Sequence, residues 1–140
     1  MTPQQIDAVQ SSFAKVVPIA DTAAALFYGR LFEIAPRVKP LFHGDIAEQG
    51  RKLMMTLGAV VNGLKNLDAI VPVAQALAVK HVGYGVQATD YAPVGEALLW
   101  TLQRGLGEAY TAEVAAAWET AYATLSGVMI AAAYGEEAAA

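Results

Sequence analysis

Apolar side chains recur every three or four positions along most of this chain, which is the spacing of one face of an α-helix. The clearest stripes are Leu53, Leu57, Val60 and Leu64, and further on Val94, Leu98, Leu102 and Leu106. Nothing in the sequence alternates with the period of two that marks a half-buried strand. The pattern therefore predicts an all-α protein of about six substantial helices with short connections.

Residues that cap or break helices indicate where these helices begin and end. Thr2-Pro3-Gln4-Gln5 has the order of a capping box with proline at the first helical position, which starts a helix over residues 3–17. A longer helix is expected over residues 46–65, followed by a short separation at residues 66–68. Further signals are Pro72 in the first turn of the next helix, Asp90 and Thr111 as N-caps of two later helices, and Gly135 as the last stop.

Composition and net charge exclude several kinds of site and partner. The whole chain, residues 1–140, is expected to form one domain with an alanine-rich tail at its end. The absence of cysteine excludes disulfides and thiolate metal sites. A net charge of −4 without a basic cluster argues against nucleic acid or an anionic membrane as partners. No apolar run is long enough to cross a bilayer and no signal-peptide pattern starts the chain, so a cytoplasmic location is expected.

His81, one of two histidines, lies at the end of a helical apolar stripe and just before a glycine-rich turn. Helical spacing puts it on the same face as Leu77 and Ala74, so its ring points to the interior. A histidine there is either a core residue with a hydrogen-bond partner or a ligand for a metal, and its position alone leaves both open. No hydrolase, zinc-protease or phosphate-loop motif competes for the chemistry, and no Gly-rich dinucleotide fingerprint of a reductase accompanies it.

Six short stretches carry a family resemblance. They are Phe27-Tyr28-Gly29-Arg30-Leu31-Phe32, Pro40-Leu41-Phe42, Glu48-Gln49, Val79-Lys80-His81, Tyr91-Ala92-Pro93-Val94-Gly95, and Ala117-Trp118-Glu119-Thr120-Ala121-Tyr122. Their order, and the separation of Gln49 from His81, resemble those of single-domain bacterial globins. The similarity is closest to the Vitreoscilla-type haemoglobins and to the globin module of flavohaemoglobins. It extends from residue 2 to about residue 134.

The resemblance implies a globin fold around haem b, with His81 as the proximal ligand of the iron. The backbone carbonyl of Leu77, one turn earlier, is expected to accept a hydrogen bond from the other ring nitrogen. Phe42 would lie against the porphyrin face, where a flat apolar ring leaves no polar group unsatisfied. Tyr91 matches a tyrosine of the proximal network of flavohaemoglobins. Cations near the propionates would be Lys52 and Lys80, with Arg51 as a further candidate; each is equally well explained as a solvated surface charge.

On the opposite face of the haem, the resemblance places Tyr28, Gln49 and Leu53 over the sixth coordination position. A phenol hydroxyl and a carboxamide N–H are both donors suited to the partial negative charge on dioxygen. High affinity for dioxygen and slow release are therefore expected, with nitric oxide and carbon monoxide as further ligands. His43 follows Phe42 in a loop and is the rival for this position, although a solvent-facing loop histidine is the simpler interpretation.

The sequence departs from the family at two positions. The glutamate that partners the proximal tyrosine in flavohaemoglobins falls at Ala133, and Glu137 lies one turn beyond it. Gly50 stands where some relatives have proline, which predicts a looser start to the distal helix.

Three functions stay open at this stage. The first is oxygen binding and transport. The second is nitric oxide dioxygenase activity with a separate reductase, and the third is a haem-free sensor or interaction module. The missing glutamate argues against peroxidase-like iron. The alanine-rich faces leave both a monomer and a homodimer open.

Overall fold

A computed structural model describes residues 2–42, 45–83 and 85–139, without the side chains of residue 83 and residues 134–139. Within these residues the chain is helical and contains no strand, which confirms the all-α prediction. The helices are α1 (Pro3–Val16), α2 (Ala20–Ile34), α3 (Ile46–Asn62), α4 (Leu67–Gly83), α5 (Tyr91–Leu106) and α6 (Ala112–Ala139). Short 3₁₀ turns connect them at Val17–Ile19, Pro36–Leu41, Leu64–Asn66, Ala88–Asp90 and Gly107–Ala109.

Side-chain caps begin three of the helices. Thr2 Oγ1 accepts from the Gln5 backbone N–H at 3.1 Å, and Gln5 Oε1 accepts from the Thr2 N–H at 2.9 Å, so the predicted capping box is confirmed. Thr111 caps α6 as predicted, accepting from the Val114 N–H at 3.2 Å. Asp45 caps α3 by accepting from the Ala47 N–H at 3.0 Å. These bonds satisfy donors that a helix start otherwise leaves unpaired.

The junction between α3 and α4 differs from the prediction. Helix α3 ends at Asn62 rather than near residue 65, and a 3₁₀ turn at Leu64–Asn66 replaces its last turn. Helix α4 begins already at Leu67, so Pro72 is its sixth residue and lies outside the first turn. Proline there removes the backbone donor for the Asp68 carbonyl. The missing hydrogen bond lies near the start of the helix, where the first backbone N–H groups have no intrahelical partner in any case.

Two further predictions about the ends of helices were wrong. Asp90 occupies the position before α5, but its carboxylate does not cap that helix; it accepts from the Gln87 backbone N–H and pairs with Arg37. Gly135 does not end α6, which continues to Ala139. A glycine costs a helix about 1 kcal/mol, and alanines, the strongest helix formers, occupy residues 131–133 and 138–140 on either side of this segment.

The apolar side chains of the described residues form two separate clusters. The large cluster is centred on Val9, Phe27, Leu31, Leu98 and Trp118, and the small cluster comprises Ala74, Ala78, Tyr91 and Met129. Helix α2 packs on α3 and α5 within the large cluster, whereas α4 packs on α6 in the small one. A main core with a smaller satellite cluster is common in domains of this size. A further apolar group placed at the boundary would contact both clusters.

A cavity of about 50 Å³ lies on this boundary. Leu64 of the large cluster and Ala74 of the small cluster both line it, and the remaining walls are apolar apart from Thr124. No helix in the described part of the chain combines the length and hydropathy needed to span a bilayer.

A buried hydrogen bond ties α1 to α6 and gives a test of the core. Trp118 Nε1 donates to Ser12 Oγ at 2.8 Å, and the Ser12 hydroxyl donates to the Ala8 carbonyl at 2.7 Å. We expect Ser12→Ala to lower the free energy of unfolding by about 1–3 kcal/mol, because it leaves the buried indole N–H without an acceptor. Urea unfolding would measure this.

The matched control for this prediction is Ser11→Ala, at an exposed neighbour in the same helix. It should change the unfolding free energy by less than about 0.5 kcal/mol. Equal urea midpoints for the two variants would show that the Trp118 indole does not depend on Ser12.

Candidate functional site

His81 lies in the last turn of α4 and is half-buried. Its Nδ1 lies 2.7 Å from the Leu77 carbonyl oxygen, the partner predicted from helical spacing. Since a carbonyl can only accept, Nδ1 carries a proton, and in the neutral form of the ring the lone pair is on Nε2. The same bond fixes the orientation of the imidazole. A histidine that ligates a metal is usually held in this way.

A tight turn follows His81 and redirects the chain towards α5. The Val86 N–H donates to the His81 carbonyl at 3.0 Å, and the Gly85 N–H donates to the Val82 carbonyl at 3.0 Å. Gly85 has φ +94°, a left-handed conformation that glycine adopts without strain. A Cβ atom at residue 85 would lie 3.0 Å from Leu41 Cδ2. The turn therefore passes directly beside the 3₁₀ turn that leads to Phe42.

Tyr91 is buried in the small cluster, close in space to α6. The Tyr122 hydroxyl donates to the Tyr91 backbone carbonyl at 2.5 Å. Burial raises the pKa of Tyr122, so it donates as a neutral phenol. Gly95 makes this contact possible, because a Cβ atom there would lie 2.5 Å from the Tyr122 ring. The backbone at the start of α5 is thus held by a residue that the sequence did not indicate for this role.

Ala133, where the flavohaemoglobin glutamate would stand, packs against the small cluster. The side chain of Glu137 lies outside the described residues. The acceptor that the structure shows for His81 Nδ1 is consequently a neutral carbonyl. A neutral acceptor gives the imidazole less electron-donating character than a carboxylate would.

Tyr28, Phe42 and Gln49 come from three segments and lie together. Tyr28 is buried in α2, and its ring meets Phe42 edge to face with centroids 5.2 Å apart. The Tyr28 hydroxyl donates to the Gln49 backbone carbonyl at 3.3 Å. Phe32 completes an aromatic group by contacting both rings, at 5.9 Å from Tyr28 and 5.5 Å from Phe42. The structure thus brings together three of the residues that the resemblance placed around the haem.

The Tyr28 hydroxyl is a neutral donor with one proton. Burial raises its pKa to about 12, so the proton is retained at neutral and mildly alkaline pH. Its 3.3 Å bond to the Gln49 carbonyl is longer than the usual O–H···O distance of about 2.7–2.8 Å and is therefore weak. Turning the hydroxyl to another acceptor would cost little.

Gly50 does not loosen the start of α3, contrary to the expectation from the sequence. It is buried, and a Cβ atom there would lie 2.8 Å from the Ala24 Cβ of α2. Glycine instead permits the close approach of α3 to α2. This approach is what brings the Gln49 carbonyl within reach of Tyr28.

The remaining predicted residues that the structure describes are half-buried or exposed. Leu53, one turn after Gln49, is half-buried against the large cluster. Lys52 is exposed, with its Nζ 4.0 Å from Glu48 Oε1. Lys80 and Arg51 are also exposed, so their role towards propionates stays a prediction. His43 lies outside the described residues.

The arrangement fits a haem in two respects. The Leu77 carbonyl orients the His81 imidazole through Nδ1, so Nε2 is the ring nitrogen that would ligate haem iron on its proximal side. Leu77 and Tyr91 belong to or pack on the small cluster, whereas Tyr28, Phe42 and Leu53 belong to or pack on the large cluster. A flat apolar group between the clusters would contact both sets of residues.

Comparison with known proteins identifies the family of this chain. The family model described as Globin matches residues 25–129. A flavohemoprotein of Bordetella parapertussis is 35% identical over 107 residues, covering 74% of this chain and 27% of that protein. A neuroglobin of Chaenocephalus aceratus is 32% identical over 118 residues, covering 74% of each chain. The chain thus spans about a quarter of the length of the flavohemoproteins that it matches.

Among solved structures, an engineered carbene transferase made from a candidate nitric oxide dioxygenase of Rhodothermus marinus superposes with a TM-score of 0.82. Its sequence identity is 26%, and the superposition covers 92% of this chain and 90% of that one. The family match spans most of the chain, and both Tyr28 and His81 lie within the matched residues. The chain belongs to the globin family.

Proposed function

We propose that this globin holds haem b through His81 and binds dioxygen reversibly, with nitric oxide and carbon monoxide as alternative ligands. The observation that carries the proposal is the His81 imidazole, whose Nδ1 donates to the Leu77 carbonyl, so that Nε2 is the nitrogen that would ligate the iron. Haem, when bound, supplies the iron at which a diatomic gas is held.

The surrounding residues then act on the gas and on the space around it. Phe42 and Leu53 supply apolar walls that limit the access of water. The Tyr28 hydroxyl donates to the gas when it turns away from the Gln49 carbonyl, and the weakness of that bond favours the turn. The affinity for dioxygen is therefore set by a competition between two acceptors for one phenol proton.

A second candidate function is oxidation of nitric oxide to nitrate, with electrons from a separate reductase. The similarity to flavohemoproteins, and to a structure made from a candidate nitric oxide dioxygenase, favours it. The same donors at Tyr28 and Gln49 would serve both functions. Turnover separates them, because an oxygen carrier stops after one cycle with nitric oxide, whereas a dioxygenase continues when an electron donor is supplied.

The ultraviolet–visible spectrum of the purified protein tests the proposal. We expect a Soret band in the ferric protein, a five-coordinate ferrous spectrum after dithionite, and a shifted band after carbon monoxide. We expect no protein side chain to occupy the sixth coordination position, so a six-coordinate ferrous spectrum before carbon monoxide is added would contradict this and direct attention to His43. Failure to take up haem, even on reconstitution with hemin, would reject the proposal and leave the interaction-module alternative.

Tyr28→Phe should accelerate dioxygen release by about tenfold or more, because a hydrogen bond to a partly charged acceptor is lost. Carbon monoxide release should change much less, since carbon monoxide carries less charge on its outer atom. Stopped-flow ligand replacement would measure both rates. Tyr110→Phe, at a half-buried tyrosine between α5 and α6, is the control. Unchanged dioxygen release in Tyr28→Phe would show that the phenol stays on the Gln49 carbonyl.

A further inference from the structure

An ion pair joins two segments that are distant in the chain. Arg37 Nε donates to Asp90 Oδ1 at 3.0 Å, and Arg37 Nη2 donates to Asp90 Oδ2, so the guanidinium grips the carboxylate with two parallel bonds. Asp90 Oδ2 also accepts from the Gln87 backbone N–H at 2.8 Å. The Asp90 side chain is only 6% exposed, whereas that of Arg37 is 48% exposed.

Each of the two segments adjoins residues of the candidate haem site, and we call them the Phe42 wall (residues 36–42) and the His81–Tyr91 wall (residues 85–91). Arg37 lies in the 3₁₀ turn Pro36–Leu41, which leads directly into Phe42. Asp90 immediately precedes Tyr91 and follows the turn after His81. Leu41 lies beside Gly85 as Arg37 lies beside Asp90, so residues 36–42 run antiparallel to residues 85–91.

Apolar packing assigns these walls to different parts of the core. Val38 of the first wall belongs to the large cluster, and Tyr91 of the second wall belongs to the small cluster. The Arg37–Asp90 pair therefore crosses the boundary between the clusters. We propose that Arg37 and Asp90 are positioning residues, whose ion pair latches the Phe42 wall to the His81–Tyr91 wall and thereby slows the loss of haem. The part that concerns haem rests on the proposed function.

Burial distinguishes this pair from an ordinary surface salt bridge. Exposed pairs contribute little, because water and salt screen them. Here one partner is almost fully enclosed, and the loss of Arg37 would leave a buried carboxylate without its countercharge. The Asp90–Gln87 bond transmits the disturbance to the turn after α4. Removing the half-exposed Arg37 should therefore also destabilise residues 85–91.

Hydrogen–deuterium exchange on the full chain tests the latch without reference to haem. In Arg37→Met, peptides covering residues 36–42 and 85–91 should both exchange about tenfold faster. Lys39→Met removes another exposed cation from the same 3₁₀ turn and should leave both peptides unchanged. In an Asp90→Asn background, Arg37→Met should add little, because the partners act as one unit. Faster exchange confined to residues 36–42, or equal effects of Arg37→Met and Lys39→Met, would overturn the latch.

Transfer of haem to excess apomyoglobin tests the positioning role. Arg37→Met should lose haem about tenfold faster than the unsubstituted protein. Ser12→Ala, which destabilises the core away from both walls, should lose haem at the unsubstituted rate. A change of equal size in both variants would show an effect of general stability and overturn the positioning role. If the unsubstituted protein takes up no haem, the proposed function fails, while the exchange experiment still decides the latch.

Discussion

His81→Gly is expected to abolish the Soret band of the purified protein while the helical content stays close to that of the unsubstituted chain. The substitution removes the imidazole whose Nε2 lone pair would hold the iron, and leaves only apolar contacts for the porphyrin. Loss of a partner to a metal ligand already costs about 10–100-fold in affinity, so loss of the ligand itself should cost more than about 100-fold. Titration with hemin, followed at the Soret maximum, would measure the change.

Two controls make the His81 result specific. Gln75→Ala changes an exposed residue of the same helix and should leave hemin affinity close to that of the unsubstituted protein. Imidazole added to His81→Gly should restore the band, because it supplies the missing nitrogen in the vacated space. Tight hemin binding by His81→Gly, with an unchanged carbon monoxide spectrum, would show that another residue holds the iron.

Local geometry is the part of this site that could be predicted from the sequence. Leu77 and His81 are four residues apart on one helix, so helical spacing alone brings the Leu77 carbonyl to the imidazole. The caps at Thr2 and Thr111 depend on the residues that immediately follow them. In each case the partners are separated by one helical turn, and no long-range packing has to be known.

Contacts across the fold could not be predicted in this way. Arg37 and Asp90 are separated by 53 positions. A carboxylate just before a helix is explained equally well as an N-cap of that helix. Tyr122 is a typical amphipathic core residue in sequence, and only the crossing of α5 and α6 at Gly95 brings its hydroxyl to the Tyr91 carbonyl. These partners follow from how whole helices pack, which pattern and propensity do not specify.

The role of Gly50 shows the same limit at a single residue. In sequence, a glycine in the first turns of a helix indicates weak helix formation. In the structure it is a point of close approach between α3 and α2, because no side chain separates it from Ala24. The distal arrangement of Tyr28 and Gln49 depends on that approach.

Gly50→Ala is therefore expected to lower the free energy of unfolding by about 1–3 kcal/mol, even though alanine is the better helix former. The new Cβ atom would lie 2.8 Å from the Ala24 Cβ, which has no rotamer that relieves the clash. Helix α3 must move away from α2, and the Gln49 carbonyl then moves away from the Tyr28 hydroxyl. Urea unfolding measures the first effect, and the dioxygen release rate measures the second.

Gly58→Ala is the matched control on the same helix. Its Cβ atom would lie 3.6 Å from the nearest atom of the Phe13 ring, an ordinary contact, so we expect stabilisation of about 0.5–1 kcal/mol from helix propensity. The double variant Ala24→Gly with Gly50→Ala restores the space between the helices. It should recover more stability than the sum of the single changes predicts, since the two residues contact each other. Strict additivity of the two changes, or a Gly50→Ala protein as stable as Gly58→Ala, would show that α2 and α3 do not meet at Gly50.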